Sequence, residues 1–296
     1  MQGKIGIIVV SYHNPEMTTR YVRQELPKLT TPYTLVVVNV ASNLDESKQL
    51  ADSCGLCLVE DNHPFDKSHR GYLIWDKENL GYARGNNKGV RFLIEHFKVD
   101  FFLFSNNDIE INSKDCISVL ISRLNEDRRI GAIGPRIISL DGSYQLPHDT
   151  PITIYRQIGW MLFPFLRKKR KKTGDKEKKG IDIIPPSRFT YWVQGSFFVM
   201  RTKDFIDAGM FDPNTFLYAE EPIMAEKLKR IGKQMYFENS VEVLHYEGGT
   251  IVEKYGNKQS RRMVMESNCY YYKEYMHYKS WLVLTYKYLF LFTNRG

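Results

Sequence analysis

Residues 101–110 read Phe-Phe-Leu-Phe-Ser-Asn-Asn-Asp-Ile-Glu, four apolar residues followed at once by a polar cluster. A short apolar run that ends in polar residues is typical of a strand buried on both faces of a parallel sheet. Three earlier runs, 5–10, 35–40 and 72–75, are similarly rich in Ile, Val, Leu and aromatic residues. Segments with helical periodicity separate these runs, so the sequence predicts an α/β fold built on a largely parallel sheet.

Helix signals follow the predicted strands. Asn14 and Pro15 combine an N-cap with a first-turn proline after the first strand. Apolar residues recur at helical spacing over 90–97, and Ser113 is placed to cap a helix after the fourth strand. The alternation of strands and helices is therefore expected to continue to about residue 135.

The overall composition bounds the class of protein. A chain of 296 residues that is 43% hydrophobic can bury a sizeable core, and its four cysteines are too few for a disulfide-stapled scaffold. The first twelve residues lack the length and cleavage site of a secretory signal. We therefore expect a cytoplasmic protein with reduced thiols.

The middle of the chain is irregular in pattern and strongly basic. Prolines dot residues 139–187, and a strand-like run follows over 189–200. Nine of the 42 Lys and Arg residues fall within 167–179 against two acidic residues, so this segment carries most of the net charge of +8. The rest of the chain is nearly neutral and no recognition motif is present, so nucleic-acid binding is not expected.

The apolar run 160–166 precedes the basic segment. Together they predict contact with an anionic membrane surface, and the alternative is a solvated loop.

The C-terminal segment has a different character. Residues 258–294 contain no Gly or Pro and include seven of the 19 tyrosines, which predicts a long helix or a helix pair. The apolar run 281–292 is interrupted by Lys287 and is too short to cross a membrane. Three partners for this helix stay open: the membrane surface, the rest of the domain, or a second subunit.

Polar clusters stand at the carboxyl ends of the predicted strands, where open α/β sheets bind ligands. Ser11 and Tyr12 follow the first strand, and Asn39 follows the second. Residues 79–89, rich in glycine and asparagine, open a helix whose N-terminus suits a nucleotide diphosphate. Asp108 follows the fourth strand and could hold a divalent cation beside that diphosphate, although such a residue is as often part of a turn.

Two acidic residues precede the helix predicted after Tyr218. Pro222 is the expected first helical residue, which places Glu221 at the N-cap. Glu221 is a candidate general base, and helix capping is its alternative role. Burial of both Glu220 and Glu221 would raise the pKa of one of them. Further along, His245 could ligate the cation, although a lone histidine is usually structural.

The order of these motifs resembles the family 2 glycosyltransferases, and in particular the bacterial rhamnosyltransferase-like branch that builds O-antigens, capsules and other surface polysaccharides. The resemblance covers roughly residues 4 to 250, and its most specific part is the asparagine-glycine segment. It implies a GT-A fold, which is a Rossmann-like nucleotide-binding sheet with helices on both faces. It also implies a catalytic domain over 1–250 with a basic loop at about 165–182, followed by a Tyr-rich helical extension over 251–296.

The resemblance assigns roles to individual residues. Asp108, in the position of the family's Asp-x-Asp element, and His245 would bind Mg²⁺ or Mn²⁺, while Glu221, preceded by Glu220, falls where the family has its catalytic base. The sequence departs from the family at two places: Asn39-Val40 replaces the usual Asp-Asn, and Ile223 replaces an aspartate. The residues expected to bind the donor are Ser11, Tyr12, Asn39, Asn79, Gly81, Arg84, Asn86, Asn87, Asn106 and Asn107.

The resemblance also implies an activity. It is the inverting transfer of a sugar from dTDP-rhamnose or a UDP-sugar to a hydroxyl of a glycan acceptor, one linked to polyprenyl diphosphate at the inner face of the cell membrane. A homodimer is the alternative use of the C-terminal helices.

Two rival functions stay open. A nucleotidyltransferase would need a glycine- and lysine-rich loop after the first strand, which residues 11–15 lack. A catalytically inactive sugar-nucleotide or membrane-binding module would bind a donor without turnover.

Overall fold

The first half of the sheet is parallel. The computed structural model describes residues 3–60, 63–163, 165, 185–246 and 249–293, with only the backbone described for 249–257. The strands of this half run in the order β3-β4-β2-β1-β5. Their bounds are Ile5–Tyr12 (β1), Tyr33–Val40 (β2), Cys57–Leu58 (β3), Gly71–Asp76 (β4) and Phe101–Ser105 (β5). The four predicted strands are confirmed, each lying within or matching an observed one.

The second half of the sheet is mixed. Its strands are Ile109–Ile111 (β6), Ile130–Ser139 (β7), Arg188–Thr190 (β8), Phe197–Arg201 (β9) and Gln234–His245 (β10). Strand β9 is antiparallel to both β5 and β7, whereas β10 is parallel to β7 and antiparallel to β6. The register of β10 on β6 pairs His245 with Ile109, the residue after Asp108. This pairing brings two chemically active side chains from distant parts of the chain to one end of the sheet.

Helices cover both faces of the sheet. Successive strand residues point to opposite faces, so Ile7 and Val9 pack on one side while Ile8 packs on the other. The described helices are Pro15–Arg20 (α1), Leu44–Cys54 (α2), Gly81–His96 (α3), Cys116–Glu126 (α4), Ile154–Leu162 (α5), Thr202–Asp207 (α6), Glu220–Arg230 (α7), Gly249–Tyr270 (α8) and Ser280–Thr293 (α9). Side chains of α2 and α4 pack in the core on the Ile7 face of the sheet. Those of α3, α6 and α7 pack in the core on the Ile8 face. The predicted α/β architecture is confirmed.

Two predicted helix starts differ from the structure. Helix α4 begins at Cys116 after Asp115, and Ser113 does not cap it, because the Ser113 hydroxyl instead accepts the N–H of Glu242 on β10 at 3.1 Å. Helix α7 begins at Glu220 and not at Pro222. Its N-cap is Ala219, whose left-handed backbone (φ 67°) turns the chain two residues earlier than the proline suggested. Glu221 therefore lies within the first turn and not at the N-cap.

The middle of the chain is more ordered than its pattern suggests. Helix α5 lies within the segment expected to be irregular, and its N-cap Thr153 accepts the N–H of Arg156 at 3.3 Å. The strand-like run 189–200 is divided between β8 and β9 by a loop that contains Gly195. The basic segment 167–179, and the predicted loop 165–182 apart from Phe165, lie outside the described residues.

The C-terminal helices pack on the rest of the protein. A π-helical turn, Tyr271–Tyr275, follows α8, and α9 returns beside α5. Tyr270 and Tyr275 both donate hydrogen bonds to Asp212, at 2.9 and 2.5 Å. The apolar side chains that join these elements are Ile154, Ala219, Ile223, Met265, Tyr271, Tyr272, Leu282, Val283 and Tyr286. Among the described helices, none combines the length and apolar character needed to cross a bilayer.

Candidate active site

A cavity of about 220 Å³ opens at the carboxyl ends of β1, β2 and β5. The parallel strands β1 and β2 pair Tyr12 with Val40 and Ser11 with Asn39. Because partners in such a pair point to the same face, Tyr12 and Val40 both line the cavity. The predicted site residues that line it are Tyr12, Asn79, Gly81, Asn86, Asn106, Asn107, Asp108 and His245.

Ser11 and Asn39 face the opposite layer of helices. The Ser11 hydroxyl is hydrogen-bonded to Thr18 of α1 at 2.9 Å, and Asn39 Nδ2 donates to Ser47 of α2 at 3.1 Å. Asn39 lines a separate cleft between α1 and α2. The structure therefore does not bring these two predicted donor contacts into the cavity with Tyr12.

Asp108 and His245 face each other at the bottom of the cavity. Asp108 Oδ1 and His245 Nε2 are 3.1 Å apart, yet they lack hydrogen-bond geometry. Both atoms are buried, and neither has a hydrogen-bond partner in the part of the chain that the structure describes. A buried polar atom without a partner is costly, so two that converge on one point suit an additional bound group.

The other nitrogen of His245 is held by a residue that the sequence analysis did not single out. His245 Nδ1 lies 3.0 Å from Gln145 Nε2 and 3.3 Å from Gln145 Oε1. Gln145 reaches this position because the chain reverses after β7 at Gly142, which has a φ of 79°. The Asp141-Gly142 dipeptide is a turn signal that could have indicated the reversal. A histidine fixed through one ring nitrogen presents the other in a defined direction.

The glycine-rich segment contributes to the cavity at the start of α3. The backbone of Gly81 has a φ of 66°, and a Cβ there would lie 2.1 Å from the carbonyl oxygen of Phe216, so the close approach requires glycine. Asn79 accepts the N–H of Gly81 at 3.0 Å, and buried Asn86 donates to the carbonyl of Tyr82. These contacts fix the helix N-terminus at the cavity edge.

Two residues predicted from the same segment point elsewhere. Asn87 exchanges two hydrogen bonds with the backbone of Phe211, at 2.9 and 3.1 Å, and so ties α3 to the loop before α7. Arg84 is exposed and donates to the carbonyl of Leu80 in its own helix. Neither residue lines the cavity.

Asn106 and Asn107 carry the chain from β5 to Asp108. The Asn106 N–H donates to the carbonyl of Ser196 at 2.8 Å. Asn107 Nδ2 donates to Thr18 Oγ1 at 2.8 Å, and Thr18 is also the partner of Ser11. This network holds the loop before Asp108 against α1, so Ser11 affects the cavity through its neighbours.

Glu221 is anchored to the loop between β8 and β9. Its Oε1 accepts the N–H of Gly195 at 3.1 Å, and the hydroxyl of Tyr82 donates to the carbonyl of Gly195 at 2.8 Å. Burial raises the pKa of Glu221. Burial, and then the neighbouring carboxylates of Glu221 and Glu220, raise the pKa of Tyr82 well above its usual value, so its hydroxyl stays protonated.

Glu220 is more deeply buried than its neighbour. Its side chain is 6% exposed, and Glu220 Oε1 has no hydrogen-bond partner among the described residues. Burial first, and the charge of Glu221 second, raise the pKa of Glu220 to about 8. Burial and a neighbouring carboxylate both oppose ionisation, which favours a proton on Glu220 at neutral pH.

The comparisons with known proteins agree with this architecture. The sequence description of glycosyl transferase family 2 matches residues 6–192, more than half of the chain, and the chain belongs to this family. It is similar to the N-acetylglucosaminyl-diphospho-decaprenol L-rhamnosyltransferase of Mycobacterium tuberculosis, with 27% identity over 57% of this chain and 56% of that protein. It is also similar to the Escherichia coli rhamnosyltransferase WbbL, with 24% identity over 56% of this chain and 61% of that protein.

The matches span only part of these relatives, less than two thirds of the length of each. Among solved structures, a mannosyltransferase from Pyrobaculum calidifontis, determined with GDP-mannose and Mn²⁺, superposes with a TM-score of 0.58. That match covers 98% of this chain and 70% of the other at 12% identity. At such an identity the likeness establishes the shared GT-A fold and nothing finer.

Proposed function

We propose that this chain is a metal-dependent, inverting glycosyltransferase that moves a sugar from a nucleotide-sugar donor to a hydroxyl of a lipid-linked glycan acceptor. The observation that carries the proposal is the convergence of Asp108 Oδ1 and His245 Nε2, two buried atoms without hydrogen-bond partners among the described residues, in the cavity that the start of α3 borders. Membership of the family supplies the class of reaction.

Asp108 and His245 suit one divalent cation, Mg²⁺ or Mn²⁺. Among the described residues there is no group of three or more His, Cys, Asp or Glu that could hold a metal. A site with two protein ligands fits a cation that keeps waters and binds substrate phosphates. When bound, the cation offsets the negative charge that develops on the departing diphosphate.

Donor binding is assigned to the residues around that cavity. Tyr12 and the N-terminal turn of α3 at Gly81 lie at the strand ends where the nucleotide and diphosphate are expected. Asn79, Asn86, Asn106 and Asn107 line the same space. Ser11, Asn39, Arg84 and Asn87, which the resemblance also assigned to the donor, act in this proposal as supports of the surrounding loops and helices.

Glu221 is the proposed general base. It removes the proton of the acceptor hydroxyl, whose oxygen attacks the anomeric carbon from the face opposite the leaving diphosphate. The new carbon–oxygen bond forms as the bond to the diphosphate breaks, and the configuration inverts. The Gly195 N–H orients the carboxylate, and burial of Glu221 raises its pKa, both of which suit a base that works near neutral pH.

The relatives favour rhamnose as the transferred sugar and a lipid diphosphate as the acceptor's carrier. The two relatives described above are named as rhamnosyltransferases, and one name includes diphospho-decaprenol. We assign dTDP-rhamnose as the first donor to test and a UDP-sugar as the second. Synthesis of an O-antigen, capsule or other surface polysaccharide is the corresponding biological role.

An exposed apolar surface supports this choice of acceptor. Helices α5 and α9 pack side by side, and each leaves large apolar side chains exposed. The most exposed are Tyr155, Leu162, Phe163, Phe165, Trp281, Leu284, Tyr288 and Phe292. The basic segment 167–179 begins two residues after Phe165 in the sequence. Clustered apolar and aromatic residues next to positive charge suit the surface of an anionic bilayer.

The proposal therefore treats residues 1–250 as the catalytic domain and 251–296 as an extension that rests on the inner face of the cell membrane. Sedimentation with vesicles that contain anionic phosphatidylglycerol tests this location, and binding should weaken as salt is raised. Binding to no vesicle, with a dimer in solution at all salt concentrations, would assign the exposed surface to a second subunit instead.

The activity is tested by donor hydrolysis and transfer with UDP-, dTDP- and GDP-sugars, each with Mg²⁺, with Mn²⁺ and with EDTA. We expect cleavage of one donor that requires the cation, with dTDP-rhamnose preferred. Donor binding without turnover, under every condition and with lipid-linked acceptors present, would instead identify a catalytically inactive sugar-nucleotide-binding module.

A further inference from the structure

A second, larger groove adjoins the donor cavity. It has a volume of about 1180 Å³ and lies between helices α8 and α9 and the strand-end loops. Tyr12 and Asn79 line both the groove and the donor cavity. A ligand lying in the groove therefore reaches the edge of the donor cavity.

The groove combines positive charge with apolar surface. Four cationic side chains line it, of which Arg262 is paired with Glu266 at 2.8 Å. Lys258, Arg261 and Lys287 also line the groove. Among the described residues that line the groove, these four cations stand against one acidic residue, Glu266. Apolar side chains of α9, including Leu291, stand beside these cations.

Helix α9 connects the groove with the exposed apolar surface. Lys287 and Leu291, four residues apart, lie on the face that lines the groove. Leu284 and Tyr288 occupy the neighbouring row of the helix and are exposed. The exposed apolar row of α9 therefore lies next to the row that lines the groove, and Lys287 is the charged residue of that second row.

We propose that this groove binds the diphosphate and the first isoprenoid units of a polyprenyl diphosphate-linked acceptor. The inference rests on the proposed function and names where its acceptor binds. A diphosphate diester is doubly negative and matches Lys258 and Lys287, whereas the first isoprenoid units match Leu291 and the apolar row beyond it. The sugar attached to the diphosphate then points toward the edge shared with the donor cavity.

The arrangement distinguishes the acceptor's diphosphate from that of the donor. The donor's diphosphate belongs with Asp108 and His245, which line the smaller cavity and not the groove. A nucleotide diphosphate also lacks the apolar chain that Leu291 and Tyr288 would cover. The groove therefore matches a lipid diphosphate better than a second nucleotide.

The test measures binding of farnesyl diphosphate, a short soluble lipid diphosphate, to the full chain by calorimetry. The test variant carries Lys258→Gln and Lys287→Gln. The matched control carries Lys273→Gln and Lys279→Gln, which removes the same charge from exposed positions of the C-terminal segment outside the groove. We expect the test variant to bind about ten-fold more weakly, because each lost lysine removes a charge-assisted contact to phosphate. The control should bind as the wild type does.

Two further arms decide the chemistry of the ligand. Farnesol and inorganic diphosphate should each bind more weakly than farnesyl diphosphate, because each lacks one half of the recognised group. Equal binding by the test variant and the wild type, or the absence of farnesyl diphosphate binding to the wild type, overturns the inference. So does inorganic diphosphate binding as tightly as the lipid.

Failure of this inference can be told apart from failure of the proposed function. Binding of farnesyl diphosphate is read without turnover, and binding of dTDP or UDP to the same variants reports on the donor cavity. In a transfer assay with a lipid-linked acceptor, the test variant should raise the acceptor KM and leave the donor KM unchanged. Transfer that proceeds with an unchanged acceptor KM would preserve the glycosyltransferase and remove the groove from it.

Discussion

The two acidic sites of this protein, Asp108 with His245 and Glu220 with Glu221, differ in their surroundings. Asp108 faces the ring nitrogen of a histidine and is partly accessible, with 20% of its side chain exposed. Glu220 is nearly buried, and its neighbour along the chain is a second carboxylate. The first site presents two electron-pair donors to one point, whereas the second presents two acids that compete for ionisation.

This difference indicates a division of chemical work. A carboxylate and an imidazole that lack other partners favour a bound cation, because the cation supplies the positive charge that the site needs. Two buried carboxylates favour a bound proton, because burial penalises each negative charge and the neighbour adds repulsion. Sites of the first kind suit the departing diphosphate, and sites of the second kind suit proton removal from the acceptor.

The largest effect is expected from Asp108→Ala. It removes the carboxylate of the proposed cation site, so transfer should fall by about 10³-fold or more, as expected when a major electrostatic stabiliser is lost. The measurement is initial rate against Mn²⁺ concentration. Asp52→Ala, at an exposed position of α2, is the control and should retain full activity. A wild-type rate and an unchanged cation dependence in Asp108→Ala would exclude Asp108 from the cation site.

Glu221→Gln should reduce kcat by about 10²- to 10⁴-fold, the range usual for loss of a general base. The amide keeps the size of the side chain and an oxygen that can accept the Gly195 N–H. Binding of the donor nucleotide, measured by calorimetry, should therefore stay close to that of the wild type. In the wild type, kcat should fall on acidification, because protonation of Glu221, whose pKa is raised by burial, removes the base. Full activity in Glu221→Gln would exclude this residue as the base.

Gly195→Ala should misplace the same carboxylate without changing its chemistry. A Cβ at this position would lie 2.5 Å from Glu221 Oε1, so the side chain must move. We expect kcat to fall about ten-fold or more, because small displacements of a reacting group are costly, with the donor KM unchanged. Gly159→Ala is the matched control, since a Cβ there would meet no atom within 4 Å. Equal rates for the two variants would mean that the position of Glu221 does not limit the reaction.

The smallest effect concerns stability and pH. In the folded protein the pKa of Glu220 is raised to about 8, whereas an exposed glutamate in the unfolded chain has a pKa near 4.5. The folded state thus binds more protons between these values, and stability falls as pH rises across that window. Glu220→Gln removes this penalty, so its melting temperature should gain on the wild type by about 2 °C or more between pH 5 and pH 8. Glu78→Gln, at an exposed position, is the control for the change in melting temperature. An equal gain in the two variants would show that folding does not raise the pKa of Glu220.

Local patterns were sufficient for four of the five strands in the parallel half of the sheet, whereas the two-residue strand β3 was not predicted. The apolar runs of β1, β2, β4 and β5 are continuous, and the Asn14-Pro15 signal for α1 depends only on neighbours in the sequence. Helix α5 was not predicted, because its exposed apolar residues resemble a loop that meets a surface. The start of α7 was misplaced because the left-handed backbone at Ala219 leaves no signature in an alanine.

The site could be predicted in part. Asp108 was predicted from its position after β5, and His245 was named as a possible ligand from the sequence and again from the resemblance. Their contact depends on the register of β10 on β6, which long-range pairing determines. The orientation of Ser11 and Asn39 away from Tyr12 likewise depends on strand parity within the folded sheet. The sequence therefore indicated which residues could belong to the site. It did not indicate the directions of their side chains, because these depend on long-range strand pairing.

The most direct test of the division between the two acidic sites is Mn²⁺ binding in the presence of dTDP or UDP, measured by electron paramagnetic resonance. It compares the wild type with Asp108→Asn and Glu221→Gln. The account predicts that Asp108→Asn loses Mn²⁺ affinity by about ten-fold or more, while Glu221→Gln binds the ion as the wild type does. Loss of affinity in Glu221→Gln, with Asp108→Asn unaffected, would contradict it.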